Sequence, residues 1–369
     1  MKHLKIGGST IHRTLACPGW LKLSENIPNP KSGFAADLGN LLHDAMEEHL
    51  KHDTPFKDMV GKLTFADQVL EEEHIPEHLN PMAVAVNELL DEHDIDRLLL
   101  EPFVQLVEDE QGGSIDVMGI SYDCKTLLIA DYKTGSRWVN PNSKQLRFYA
   151  LCALKDPKTK PMLTNIETVV CAIIQPAQSD KAVQTSYTLS EVLALETELN
   201  DALAHPDKIE PGWYCLYCPA APVCPKRLAQ ARSALMLTPE TAAEIAEALT
   251  LANELESWIK QVKDQAYGIA NDGGILPGYK LVEGRSVRKW KKGAQEVLTS
   301  KLGEQAFEQK IIGITKAEKL LGKGALEELG LTEKPEGKPT LVPEESTGVE
   351  VLKIVPDSLK NLVDKSLNK

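Results

Sequence analysis

The run Leu127-Leu128-Ile129-Ala130 is apolar without a break and ends abruptly in Asp131-Tyr132-Lys133-Thr134-Gly135. A short apolar run of branched residues, closed by a charged pair and a glycine turn, predicts a buried strand. On an extended backbone residues two apart share a face, so Asp131 and Lys133 project together at the open end of that strand. A carboxylate that can bind a hard divalent cation, beside an ammonium that can answer developing phosphate charge, suits phosphodiester hydrolysis. Many surface strands carry the same pair merely as a solvated ion pair, so its meaning rests on its surroundings.

Those surroundings read as alternating helices and strands. A helical pattern over 34–51 carries His43 and Glu47 one turn apart, with Gly39 near its start. The region of about 52–97 predicts a helical insertion whose irregularly spaced histidines fit a solvated surface better than a metal site. From Arg97 to Val107 a strand is expected, with Pro102 marking an edge or bulge, and Gln111-Gly112-Gly113 then turns the chain into a second strand bearing Asp116. With the 127–132 run these make a meander that collects Asp116, Asp131 and Lys133. A helix capped at Asn142 or Ser143 follows, placing Gln145 and Tyr149 on one face, where donors to a phosphate would be useful. A fully apolar strand over 167–174 and a helix over 190–204 complete an α/β order.

Cysteine supplies the second signal. Cys215, Cys218 and Cys224 fall within ten residues, among prolines and aromatics, and seven cysteines in all do not suggest a secreted disulfide framework. Zinc and a cubane iron–sulfur cluster each need four ligands, and the best candidate for the fourth is Cys17 beside Pro18-Gly19. Cys124, Cys152 and Cys171 fall in strand or helix patterns and are expected to be buried apolar residues.

Beyond Leu237 a long amphipathic helix is expected from Thr238-Pro239-Glu240 to Asn271, and a basic hairpin at about 277–292 follows it. Arg285, Arg288, Lys289, Lys291 and Lys292 make this the most basic run in a chain of formal charge −13. Two readings fit it, a nucleic-acid backbone contact and a solvated hairpin. The segment 333–369 reads as a flexible linker and a last short helix. No apolar run approaches bilayer length and the N-terminus lacks a signal-type apolar core, so a cytoplasmic protein without membrane contact is expected.

Taken together, the His43 helix, Asp116, Asp131-x-Lys133, Gln145-x-x-x-Tyr149 and Cys-x-x-Cys-x-x-x-x-x-Cys with a distant N-terminal cysteine resemble the RecB-like branch of the PD-(D/E)XK nuclease superfamily. Within it, the likeness is to iron–sulfur exonucleases of the CRISPR-associated and AddB-like kinds; the whole chain also resembles a phage-encoded family of that superfamily. The resemblance implies a restriction-endonuclease-like core over 1–232, a central mixed sheet flanked by helices and held by an iron–sulfur staple, with a mainly helical extension over 233–332. It implies that His43, Asp116 and Asp131 hold Mg2+ or Mn2+, with the Tyr132 carbonyl as an extra ligand and Glu101 and Glu47 as accessory carboxylates. Lys133 would orient or deprotonate the attacking water, Gln145 and Tyr149 would steady the phosphate or the lysine, and Cys17, Cys215, Cys218 and Cys224 would ligate a [4Fe-4S] cluster, or alternatively Zn2+. The motif departs from the family pattern at Ile115-Asp116, at Asp131 in place of glutamate, and at Gly39-Asn40 before His43. The expected activity is exonucleolytic hydrolysis of single-stranded or end-containing DNA, in a bacterial host, beside phage or host recombination and replication proteins. The alternatives are a non-catalytic DNA-binding recombination accessory and a zinc-stapled interaction protein.

Overall fold

A computed structural model of the chain describes residues 4–27, 33–234, 236–280, 282, 299–301, 307, 313–322 and 325–331. Two compact units divide it, Met1–Pro277 and Gly278–Lys369. The elements of the first unit run in order α1 (Ile11–Ala16), α2 (Trp20–Leu23), α3 (Phe34–His52), α4 (Phe56–Met59), β1 (Thr64–Phe65), β2 (Gln68–Val69), α5 (Asn80–Glu92), β3 (Ile95–Leu100) and β4 (Phe103–Val107). They continue with β5 (Gln111–Ser114), β6 (Val117–Ser121), β7 (Thr126–Tyr132), α6 (Lys144–Lys155), β8 (Thr168–Ile174), β9 (Val183–Thr188), α7 (Leu189–Leu203), α8 (Pro225–Ala234) and α9 (Ala242–Asn271). In the second unit the described residues form helices at Ile314–Leu321 and Ala325–Glu328. The basic residues Arg285, Arg288, Lys289, Lys291 and Lys292, and the segment 333–369, lie outside the described residues.

The fold is α/β, with a mixed five-stranded sheet in the order β3-β6-β7-β8-β9. Only β7 and β8 pair in parallel, and the helix α6 connects them. Both strands are continuous apolar runs because helices cover both faces of the sheet. Leu127 and Ile129 of β7 pack with Leu146 and Leu151 of α6 and with Leu195 of α7. Leu128, Ala130 and Tyr132 face the other way, onto Leu42 and Met46 of α3 and Val86 of α5. Each of these fully buried aliphatic side chains contributes roughly 1.5–3 kcal/mol relative to exposure, so the sheet is anchored most firmly at its centre.

Three local expectations change. The strand expected over 97–107 is two, because Glu101 takes φ +50° and Pro102 has no N–H to donate; the chain leaves β3 and re-enters a separate pair, β4 with β5. Gln111-Gly112-Gly113 is therefore part of β5 rather than a turn, and Asp116 lies between β5 and β6. Cys124 is half-buried in the β6–β7 turn at φ +61°, whereas Cys152 and Cys171 are fully buried. The edge strand β9 is polar along Gln184-Thr185-Ser186, which hides it from a search for apolar runs.

The N-terminal segment joins this core through β5. Ile6 pairs in parallel with Gln111, and the Gly112 N–H donates to the Ile6 carbonyl at 3.0 Å. Gly112 sits at φ +156°, and a Cβ there would stand 2.2 Å from the Val104 carbonyl oxygen on β4. Gly112→Ala must therefore move backbone rather than a side chain, and should cost roughly 2–4 kcal/mol of stability. Urea unfolding followed by circular dichroism checks this, and an unchanged midpoint would contradict it.

Candidate active site

Sheet register assembles the acidic residues. Val117 pairs with Ala130 and with Leu100, so the next step along each ladder sets Asp116 beside Asp131 and Glu101 beside Asp116. The Glu101 N–H donates to the Asp116 carbonyl at 3.2 Å. Three carboxylates thus end on one rim of the sheet. Glu101 holds its place at a positive φ that costs a non-glycine residue about 1–3 kcal/mol, a strain that concentrates at functional positions.

Helices bring the remaining groups from both faces. From α3, His43 places Nδ1 3.4 Å from Asp116 Oδ1, an ion pair when the imidazole is protonated. Its ring meets Tyr132 edge-on, with centroids 5.3 Å apart. From α6, Gln145 Nε2 donates to Asp131 Oδ1 at 3.2 Å, and Lys133 Nζ lies 2.5 Å from Asp131 Oδ2. The Asp116 Oδ2 accepts from the Tyr132 N–H at 2.7 Å. Asp131 and Lys133 do share a face, as their spacing requires.

The arrangement redistributes the expected roles. His43, Glu101 and Asp116 offer ligand atoms that all lie within 4.8 Å of one another. Glu101, expected only as an accessory, belongs to this set, while Asp131 is engaged by Lys133 and Gln145. Glu47 instead pairs with Lys51 one turn along α3. Gln145 holds Asp131 rather than Lys133, and Tyr149 lies against the N-terminal segment: a Cβ on Gly8 would stand 2.4 Å from its ring, and one on Gly113 3.0 Å.

Burial and charge set the protonation states. Burial works against the His43 imidazolium, but Asp116, then Asp131 and Glu101, more than offset it and hold the His43 pKa at about 9. Burial, with Asp116 beside it, pushes Glu101 up to about 8. Asp116 is held below the usual carboxylate range, burial notwithstanding, by His43 and Lys133. Asp131 is raised by burial against the pull of Lys133, and Lys133 is held up by Asp131 despite its own burial. With His43 neutral and Glu101, Asp116 and Asp131 ionised against Lys133, the cluster carries an excess of two negative charges. One divalent cation balances it. An imidazole nitrogen and carboxylate oxygens within 4.8 Å of one another suit Mg2+ or Mn2+.

A second cluster lies where the N-terminus meets the segment between α7 and α8. Cys17, at the end of α1, and Cys215, Cys218 and Cys224 line one cavity, although some two hundred residues separate the first from the rest. The Glu210 N–H donates to Cys17 Sγ at 3.3 Å and the Gly212 N–H to Cys215 Sγ at 3.4 Å, bonds that stabilise thiolate ligands. Four cysteines converging on one cavity is a donor set that fits a thiolate-bound metal group. Sequence reasoning did not find two buried arginines, Arg13 and Arg227, that also line it; an Arg four residues before Cys17 and another three after Cys224 were the available signals.

Comparison with known proteins places the chain in a family. A family model described as "Protein of unknown function (DUF2800)" matches residues 3–347, and the chain belongs to that family. A solved structure titled "Crystal structure of SSO0001" is 14% identical, with 52% of this chain and 96% of that chain covered and a TM-score of 0.25. No helix among the described residues is long and apolar enough to cross a membrane.

The protonation states predict how metal binding depends on pH. An ion on this set must displace one proton from His43 and one from Glu101, so affinity should rise from pH 6 and level off above about pH 9, the higher of the two values. Calorimetry with MnCl2 in buffers of different ionisation enthalpy measures both the affinity and the protons released. A flat profile over that range would exclude these two residues as ligands.

Proposed function

We propose that this DUF2800 family member is a Mg2+- or Mn2+-dependent deoxyribonuclease that hydrolyses phosphodiester bonds in single-stranded or end-containing DNA. The observation that carries the reading is the set of half-buried His43 and Glu101 with buried Asp116, beside the Asp131–Lys133 pair at one rim of the sheet. It agrees with the likeness to RecB-like nucleases drawn from the motifs. His43, Glu101 and Asp116 would hold the divalent ion, which when bound supplies a Lewis acid for a phosphoryl oxygen.

The chain's own groups supply the rest. Lys133 is held protonated by Asp131 and its side chain remains 28% exposed, so it can reach a phosphate as a cation. That favours charge stabilisation over a role as base. Asp131, whose carboxyl is raised by burial, is the better group to take a proton from an attacking water. Gln145 fixes the orientation of Asp131 through its 3.2 Å bond. In the second cluster, Cys17, Cys215, Cys218 and Cys224 would ligate a [4Fe-4S] cluster that fastens α1 to the segment before α8. The gathering of all four cysteines on one cavity and the amide donors to Cys17 and Cys215 support a thiolate-bound group there.

Digestion of labelled single-stranded and 5′- or 3′-overhang DNA with MnCl2 tests the activity. Asp131→Ala, Lys133→Ala and Glu101→Gln should each lower the rate by about a hundredfold or more, the scale for losing a charged group at a phosphoryl centre. Undiminished degradation by all three would place the activity elsewhere or in a contaminant. For the cysteines, anaerobically purified protein should contain iron and sulfide that Cys17→Ser and Cys218→Ser lose; zinc in their place would identify a single-ion staple.

A further inference from the structure

Arg13 is a buried cation with no carboxylate partner among the described residues. It projects from α1 and is 6% exposed. Its Nη1 donates to the Tyr217 carbonyl at 2.6 Å and its guanidinium lies 3.9 Å above the Trp20 ring. Its buried Nε has no partner. Neither a carbonyl nor a ring face neutralises a unit charge, and a guanidinium taken out of water without a counter-charge is strongly unfavourable. The same cavity is lined by Arg13 and all four cysteines.

Arg227 gives the contrast. It lines that cavity from α8 and is equally buried, yet its Nη1 lies 3.4 Å from Glu254 Oε2 and its Nη2 donates to the Glu254 carbonyl at 2.6 Å. Its charge is already answered by a carboxylate on α9.

We propose that Arg13 is the counter-cation of an anionic metal–thiolate group in this cavity, and that it sets the reduction potential of that group. This rests on the cluster reading given above. Four thiolates around a [4Fe-4S] core of charge 2+ sum to 2−, and one-electron reduction brings the total to 3−. A fixed positive charge stabilises the reduced state more than the oxidised one, so Arg13 raises the potential. Arg227, paired with Glu254, contributes less.

The experiment uses the full chain purified anaerobically as wild type, Arg13→Gln, Arg13→Lys and Arg227→Gln. Iron and sulfide are quantified, and the midpoint is followed by mediated titration with electron paramagnetic resonance. Arg13→Gln should shift the midpoint to more negative potential, or lose iron under conditions in which Arg13→Lys retains it; Arg13→Lys should stay near wild type, and Arg227→Gln should shift less than Arg13→Gln. An Arg13→Gln protein matching wild type in iron content and midpoint would overturn the assignment, as would Arg13→Lys failing alongside it or Arg227→Gln shifting further. Wild-type protein with zinc and no iron would instead overturn the cluster reading, and this assignment with it.

Discussion

Like charges packed together out of water are the constraint on which the structure turns. Glu101, Asp116 and Asp131 converge at one rim, with Asp116 and Asp131 almost wholly buried. Their mutual repulsion in a medium of reduced dielectric would open the sheet edge unless cations answered it. Lys133 and His43 answer it in part, each held protonated by its neighbours. A proton kept on Glu101, whose pKa is pushed up to about 8, removes the rest of the repulsion.

The sheet can carry this charge because its centre is so thoroughly apolar. β7 and β8 bury every side chain from Leu127 to Ala130 and from Val169 to Ile174 between two helical layers. The polar end of β7 is an extension of that rigid strand, so Asp131 and Lys133 inherit its position. α3 and α6 lie on opposite faces, and each sends one polar side chain over the rim, His43 from one side and Gln145 from the other. The strained Glu101 is where the chain departs from β3, and that departure is what turns its carboxylate toward Asp116.

The second cluster solves a different problem. Among the described residues, the N-terminal segment pairs with the core sheet strands through Ile6 and contributes only short helices, α1 and α2, which gain little stability by themselves. Bringing Cys17 to Cys215, Cys218 and Cys224 closes a loop of about two hundred residues, and a bond there removes much conformational freedom from the unfolded chain. The same contact buries Arg13, which explains why a positive charge sits among apolar residues and thiols. Cysteine cluster and N-terminal packing are thus one construction.

Periodicity and spacing were enough to place the helix bearing His43, the strand ending in Asp131 and Lys133, the helix bearing Gln145, and the gathering of Cys17 with the later cysteines, because each depends on local pattern or on a ligand count. The break at Glu101, the strand made from Gln111 to Ser114, and the polar edge strand β9 were not legible, since each depends on which neighbour the backbone pairs with. The entry of Glu101 into the set with His43 and Asp116 came from register, which no single stretch of chain encodes. So did the contacts of Asp131 with Lys133 and Gln145. Residue identity by itself determined that acids, a lysine, an imidazole and four thiols were present on or beside these strands and helices. Only the tertiary structure decided which of them meet, because distances between charges across a sheet are set by pairing and packing, and those distances fix every protonation state at the rim.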